Sequence, residues 1–234
     1  MLGLPDGIRA CLFDLDGVLT QTAKVHFAAW KELFDGVLRE RSQRTGEPFA
    51  EFTQDDYDEH VDGLPRYDGV RNFLRSRGIE IDDAEVHRLG DRKNDLVQEL
   101  IRRDGVQVYE GSVAYVRAAR DAGLRRAVVS SSANTRVVLE AAGILELFEA
   151  IVDGHDVQEH GLKGKPAPDT FLEGARRLGV PAAAAAVFED ALAGVEAGRA
   201  GGFGYVVGVD RVGQRDALLR HGADIVVDDL AELL

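Results

Sequence analysis

The chain has 234 residues, room for one large domain or a core with a smaller module, and its 45% hydrophobic and 29% charged content is that of a soluble globular protein. A net charge of −13 argues against attraction to nucleic acid or anionic membrane, so neither is expected as a partner. The single cysteine, Cys11, excludes an intrachain disulfide, and without a leader pattern or a long apolar run a cytoplasmic location is expected.

The first apolar run, "IRACLF" at 8–13, reads as a buried strand in which Cys11 is a small core residue. It ends in Asp14-Leu15-Asp16-Gly17. Alternation along an extended backbone points Asp14 and Asp16 to one side. Like charges that close repel unless a cation or a shared proton relieves them. From about 20 to 104 the patterning is helical. Residues 21–38 and 84–101 carry apolar residues at helical spacing, the second run interrupted by Gly90, and "SQRTGEP" at 42–48 reads as a turn.

Beyond 104, short apolar runs alternate with helical patterns, and each run ends on a polar residue. "RRAVV" ends at Ser130, "AIV" at Asp153, "AAVF" at Glu189 and Asp190, "YVVGV" at Asp210 and "DIVV" at Asp228. Helices are expected at 111–122, 134–142, 168–178 and 191–200. Such alternation predicts an α/β fold with a parallel sheet flanked by helices. The domain organisation expected is a core of 1–19 and 105–234, with a helical module of 20–104 inserted after the first strand. Ligands of such sheets bind beyond the carboxyl ends of the strands. A lone aspartate there could be a helix cap. A second carboxylate, the acidic pair 189–190, three hydroxyls at 130–132 and lysines at 163 and 165 instead suit a hard cation and a phosphoryl group. Lys163 is expected on a solvated loop.

In order, "FDLDGVLT", "VVSSS", "GKPAPD" and "FEDALAG" resemble the four motifs of the haloacid dehalogenase superfamily of phosphotransferases. The resemblance spans essentially the whole chain. It implies a Rossmann-like core with an inserted cap, an aspartyl-phosphate mechanism and Mg²⁺ as cofactor. Asp14 would be the nucleophile, Asp16 the general acid and base, Ser130 a donor to the transferring phosphoryl, and Lys165 its counter-charge. Asp14, the main-chain carbonyl of Asp16, and Asp190 would hold the metal, with Glu189 beside them. A true dehalogenase is disfavoured by the second aspartate and the metal-binding carboxylates.

Within that superfamily "DGVLTQTAKVHFAAWK" at 16–31 resembles the β-phosphoglucomutase branch, with Thr22, His26 and Trp30 along one helix face. "DGLPR" at 62–66 is similar to its substrate-specificity loop, and "RKND" at 92–95 to a cap motif. The resemblance implies a small sugar phosphate as substrate. Arg66 would grip the phosphate not in transfer, with Ser132 and Asn134, and Lys93 would order the cap. Gln21, Pro65, Ala133 and Ala191 depart from the branch pattern. Ala133 removes a lysine for which Arg136 could partly compensate. The activity expected is that of a β-phosphoglucomutase, with a sugar-phosphate phosphatase as the alternative, in a chain expected to be a monomer rather than an oligomer.

Overall fold

All four residues of the strand β1, Ala10–Phe13, are buried, the pattern of a strand covered on both faces. In this computed structural model, which describes residues 2–61 and 66–234, β1 lies inside a sheet with β2 (Arg125–Val129), β3 (Ala150–Val152), β4 (Ala185–Glu189), β5 (Tyr205–Val209) and β6 (Ile225–Val227). The strand order is β3-β2-β1-β4-β5-β6, and every pairing is parallel. The order reverses direction between β1 and β4, the place where such sheets open a crevice for ligands.

The chain forms two compact units, Met1–Thr22 with Val106–Leu234, and Ala23–Gly105. The second contains most of α1 (Thr22–Thr45), then α2 (Gln54–His60), α3 (Arg66–Ser76) and α4 (Asp83–Asp104). Its core is aromatic: Phe34 packs 4.2 Å from Phe73 and 5.1 Å from Phe52, ring centre to ring centre. The helix α4 runs through Gly90 without a break, where the sequence suggests an interruption. A side chain there would meet the Tyr67 ring at 2.5 Å, so this glycine makes room for α3 to pack. The turn at 42–48 is present, with α1 ending at Thr45 and Gly46 at φ +76°.

In the sheet-bearing unit the two faces are covered by different helices. On one face Leu12, Val129 and Val187 pack in a single apolar cluster with Phe171 of α8 (Asp169–Leu178) and Val195 of α9 (Leu192–Ala200). On the other, Phe13 stacks on Phe188 at 4.5 Å and meets Tyr115 of α5 (Glu110–Asp121) edge-on at 6.3 Å. Three shorter helices, α6 (Thr135–Ala141), α7 (Gly154–Glu159) and α10 (Arg215–His221), complete the crossovers. No helix among the described residues is long and apolar enough to cross a membrane.

The approach of α8 to the sheet depends on Gly174, where a Cβ would lie 2.9 Å from both Leu12 Cδ2 and Val129 Cγ2. Gly174→Ala should therefore destabilise the chain. Overpacking costs about 1–3 kcal/mol, and the better helix propensity of alanine returns at most about 1 kcal/mol. Urea unfolding measures the difference, and a midpoint at or above that of the parent chain would show that α8 is not seated so closely.

Candidate active site

Register alone brings the first acidic residues together. Phe13 pairs with Val128 on one side and Phe188 on the other, so the next residue, Asp14, emerges between the ends of β2 and β4. Its amide donates to the Phe188 carbonyl at 2.9 Å, which carries the β4 pairing one residue past the strand. Ser130 leaves β2 beside it, with its amide on the Val152 carbonyl at 2.9 Å and its Oγ accepting from the Ser132 amide at 3.1 Å. Asn134 donates its amide to Ser132 Oγ at 3.1 Å, so hydroxyls and main chain form one hydrogen-bonded turn.

Carboxylate oxygens of Asp14, Glu189 and Asp190 all lie within 4.8 Å of one another. Among the described residues one cation, that of Lys165, faces Asp14 and Glu189. Lys165 Nζ donates to Asp14 Oδ1, to Glu189 Oε1 at 2.6 Å and to the Val129 carbonyl at 3.3 Å, and stands 4.8 Å over the Phe171 ring. Lys163, by contrast, is exposed. Burial alone would lower the lysine's pKa, but Asp14 and Glu189 outweigh it and hold it raised. For Asp14 burial is the dominant influence and pushes the carboxyl well above its usual range; Lys165 opposes this, while Glu189, Asp190 and Asp16 reinforce it. Asp190 is held up to about 7, first by burial and then by Glu189.

Three carboxylates against one ammonium leave an excess that a divalent cation would neutralise. An all-oxygen donor set in a small space suits a hard ion such as Mg²⁺. Both Glu189 oxygens already have protein partners, Lys165 and the Ala191 amide at 2.8 Å. Asp190 lies against Gly17, whose φ is +83° and where any Cβ would fall inside the Asp190 carboxylate. Only glycine fits there, so the first and last acidic loops touch.

Asp16 is outside the three-carboxylate group. Thr22, with 2% of its surface exposed, donates its hydroxyl to Asp16 Oδ1 and lies 3.3 Å from Thr20 Oγ1. Thr22, which the resemblance sets on one helix face with His26 and Trp30, thus orients Asp16 through its hydroxyl. The other strand-end aspartates are structural. Asp153 caps α7 through the His155 and Asp156 amides, Asp210 accepts from the amides of the loop that follows it, and Asp228 pairs with Arg215 at 2.6 Å.

In the helical unit His26, Trp30 and Lys93 come together. Lys93 Nζ lies 2.8 Å from His26 Nδ1 and 4.9 Å over the Trp30 ring, which stacks on Phe34 at 5.0 Å. Burial, aided by the Lys93 ammonium, lowers the His26 pKa to about 3, so the imidazole is neutral at neutral pH and its Nδ1 can accept a hydrogen bond from the lysine. The guanidinium of Arg66 is 5.0 Å over the Tyr67 ring, and Tyr67 donates to Asp91 at 2.8 Å. The rest of the expected specificity loop, 62–65 with Pro65, lies outside the described residues. Arg136 is largely exposed and reaches Asp153 at 3.8 Å.

The haloacid dehalogenase-like hydrolase family profile matches residues 8–202. The chain belongs to the haloacid dehalogenase superfamily. Its β-phosphoglucomutase branch is fixed by close relatives. The chain is 56% identical over 247 residues to a β-phosphoglucomutase of Mycobacterium tuberculosis, covering 100% of this chain and 94% of that one. It is 34% identical to a β-phosphoglucomutase of Bacillus subtilis, over 97% of this chain and 92% of that one. Among solved structures, a β-phosphoglucomutase of Clostridium difficile superposes with a TM-score of 0.71 at 26% identity, covering 97% and 93% of the two chains. Two residues beside this superfamily site carry no signal in the sequence: Arg211 and Gln214, which bond main-chain carbonyls of the acidic loops.

Lys165, with 11% of its side chain exposed, and Glu189, with 1%, form a buried pair. Removing one partner of such a pair costs about 3–5 kcal/mol. Lys165→Met should lose stability on that scale in metal-free buffer, with part of the loss restored by Mg²⁺. Chemical denaturation with and without the ion reads both effects; a loss below 1 kcal/mol, as for an exposed pair, would show that the lysine does not hold the cluster.

Proposed function

We propose that the protein is a Mg²⁺-dependent β-phosphoglucomutase that interconverts β-glucose 1-phosphate and glucose 6-phosphate through an aspartyl phosphate and a sugar bisphosphate. The observation that carries the reading is the 56% identity along the entire chain to a β-phosphoglucomutase. The site geometry supports the chemistry.

Asp14 attacks phosphorus, its O–P bond forming as the bond to the sugar oxygen breaks. Its charge would repel a phosphate, and Lys165, already bonded to it, offsets that repulsion. Ser130 donates to a phosphoryl oxygen. Asp16 gives its proton to the departing sugar oxygen and takes one back from the sugar hydroxyl that next attacks the aspartyl phosphate. Thr22 donates its hydroxyl to that carboxyl and orients it. Asp14, Asp190 and the Asp16 carbonyl would hold Mg²⁺, with Glu189 beside them, and the ion when bound supplies Lewis-acid stabilisation of the phosphoryl oxygens. Arg66, Ser132 and Asn134 bind the phosphate not in transfer, while Lys93, His26 and Trp30 form a preorganised polar end to the cap's aromatic core. These placements also account for an anionic substrate on a chain of net charge −13: the positive charge is local.

The test supplies β-glucose 1-phosphate, Mg²⁺ and a trace of glucose 1,6-bisphosphate, and follows both products. Glucose 6-phosphate should form faster than inorganic phosphate. A folded Asp14→Asn variant should form neither, and Asp16→Asn should be slower by on the order of 10²–10⁴-fold. Release of phosphate as the main product would make the protein a sugar-phosphate phosphatase instead.

A further inference from the structure

The loop after β5 contributes no carboxylate to the cluster, yet it holds main chain on both sides of it. Arg211 Nε donates to the Gly17 carbonyl at 2.7 Å, and Gln214 Nε2 donates to the Asp190 carbonyl at 2.9 Å. Those carbonyls belong to the two segments that must converge. Gly17 closes the Asp14–Asp16 turn, and its backbone lies against the Asp190 carboxylate.

The loop is built to be rigid. The Asp210 carboxylate accepts the amides of Val212 at 3.2 Å, Gly213 at 2.7 Å, Gln214 at 2.9 Å and Arg215 at 3.0 Å. These bonds, that from Gln214 foremost, hold its carboxyl below the usual range, so the anchor is ionised at neutral pH. Arg211 is fixed in turn. It lies 3.5 Å from the Tyr109 ring centre and donates Nη1 to the Asp228 carbonyl at 2.7 Å. Its Nη2 is buried with no hydrogen-bond partner among the described residues. An unpaired buried donor costs free energy, so packing alone does not account for an arginine here.

We propose that Arg211 and Gln214 are positioning residues for the divalent-cation site, clamping the Asp14–Gly17 and Asp190 loops at the spacing that lets their oxygens converge on one ion. The proposal rests on the reading of Asp14 and Asp190 as ligands of that ion. Its physical basis is repulsion: like-charged carboxylates drive two loops apart, and hydrogen bonds to their backbones from a third, rigid loop resist it. Outer-shell partners of this kind set metal affinity.

Mn²⁺ titration of the substrate-free chain, read by electron paramagnetic resonance, tests it without turnover. Gln214→Ala should weaken Mn²⁺ binding by roughly 10–100-fold while the metal-free chain still unfolds in a cooperative transition. Arg211→Ala should weaken it at least as much, and should this variant fail to fold, Gln214→Ala alone decides. Arg215→Ala is the control in the same loop. Its guanidinium bonds the Val226 carbonyl and Asp228, so Mn²⁺ affinity should stay that of the parent. Parent-like affinity in Gln214→Ala, or an equal loss in Arg215→Ala, would overturn the clamp. A parent chain that binds no Mn²⁺ would overturn the metal reading and the clamp with it.

Discussion

The ammonium of Lys165, held between Asp14 and Glu189, is the interaction on which the rest of this site depends. Three carboxylates in so small a space, two of them buried, would drive one another apart or take up protons. One lysine, reaching in from the loop before α8, keeps the strand ends of β1 and β4 together. The sheet makes that possible. With β1 at the reversal of strand order, its C-terminal end has neighbours on both sides, one supplying a hydroxyl and the other two carboxylates. The lysine offsets the charge only in part. The rest of the deficit is what makes the cluster a candidate cation site.

The helical unit uses charge in a different way. Lys93 is buried, and its ammonium meets the neutral His26 and the face of Trp30. Contact with an aromatic face stabilises a cation without neutralising its charge.

Much of the architecture was legible in the sequence because parallel strands buried on both faces leave short continuous apolar runs. Each ended at a polar residue near the observed strand end. The same signature could not say which ends matter. Asp14, Glu189 and Asp190 gather, whereas Asp153, Asp210 and Asp228 cap loops or pair locally, and all six look alike along the chain. Pairing register, a property of the folded sheet, separates them. Gly90 misled for a related reason: glycine in a helical pattern reads as a break, but here it yields space to Tyr67 from another helix. Arg211 was invisible because its partner, Gly17, lies 194 positions away. The bond from Thr22 to Asp16 was not legible, since spacing shows which helix face a residue occupies and not which neighbour its hydroxyl finds.

The central claim is that this cluster is short of positive charge until a divalent cation binds. A carboxyl whose pKa is raised on folding costs stability as pH rises, a cost fully present once the folded-state pKa is passed. With Asp190 at about 7, that condition holds at pH 8.5. Thermal unfolding of the parent and of Asp190→Asn at pH 8.5, first stripped of metal and then with saturating Mg²⁺, measures the deficit directly. Metal-free Asp190→Asn should unfold at a higher temperature than the parent, and Mg²⁺ should reverse the order by stabilising the parent more. A metal-free variant less stable than the parent, with the same Mg²⁺ response in both, would contradict the account.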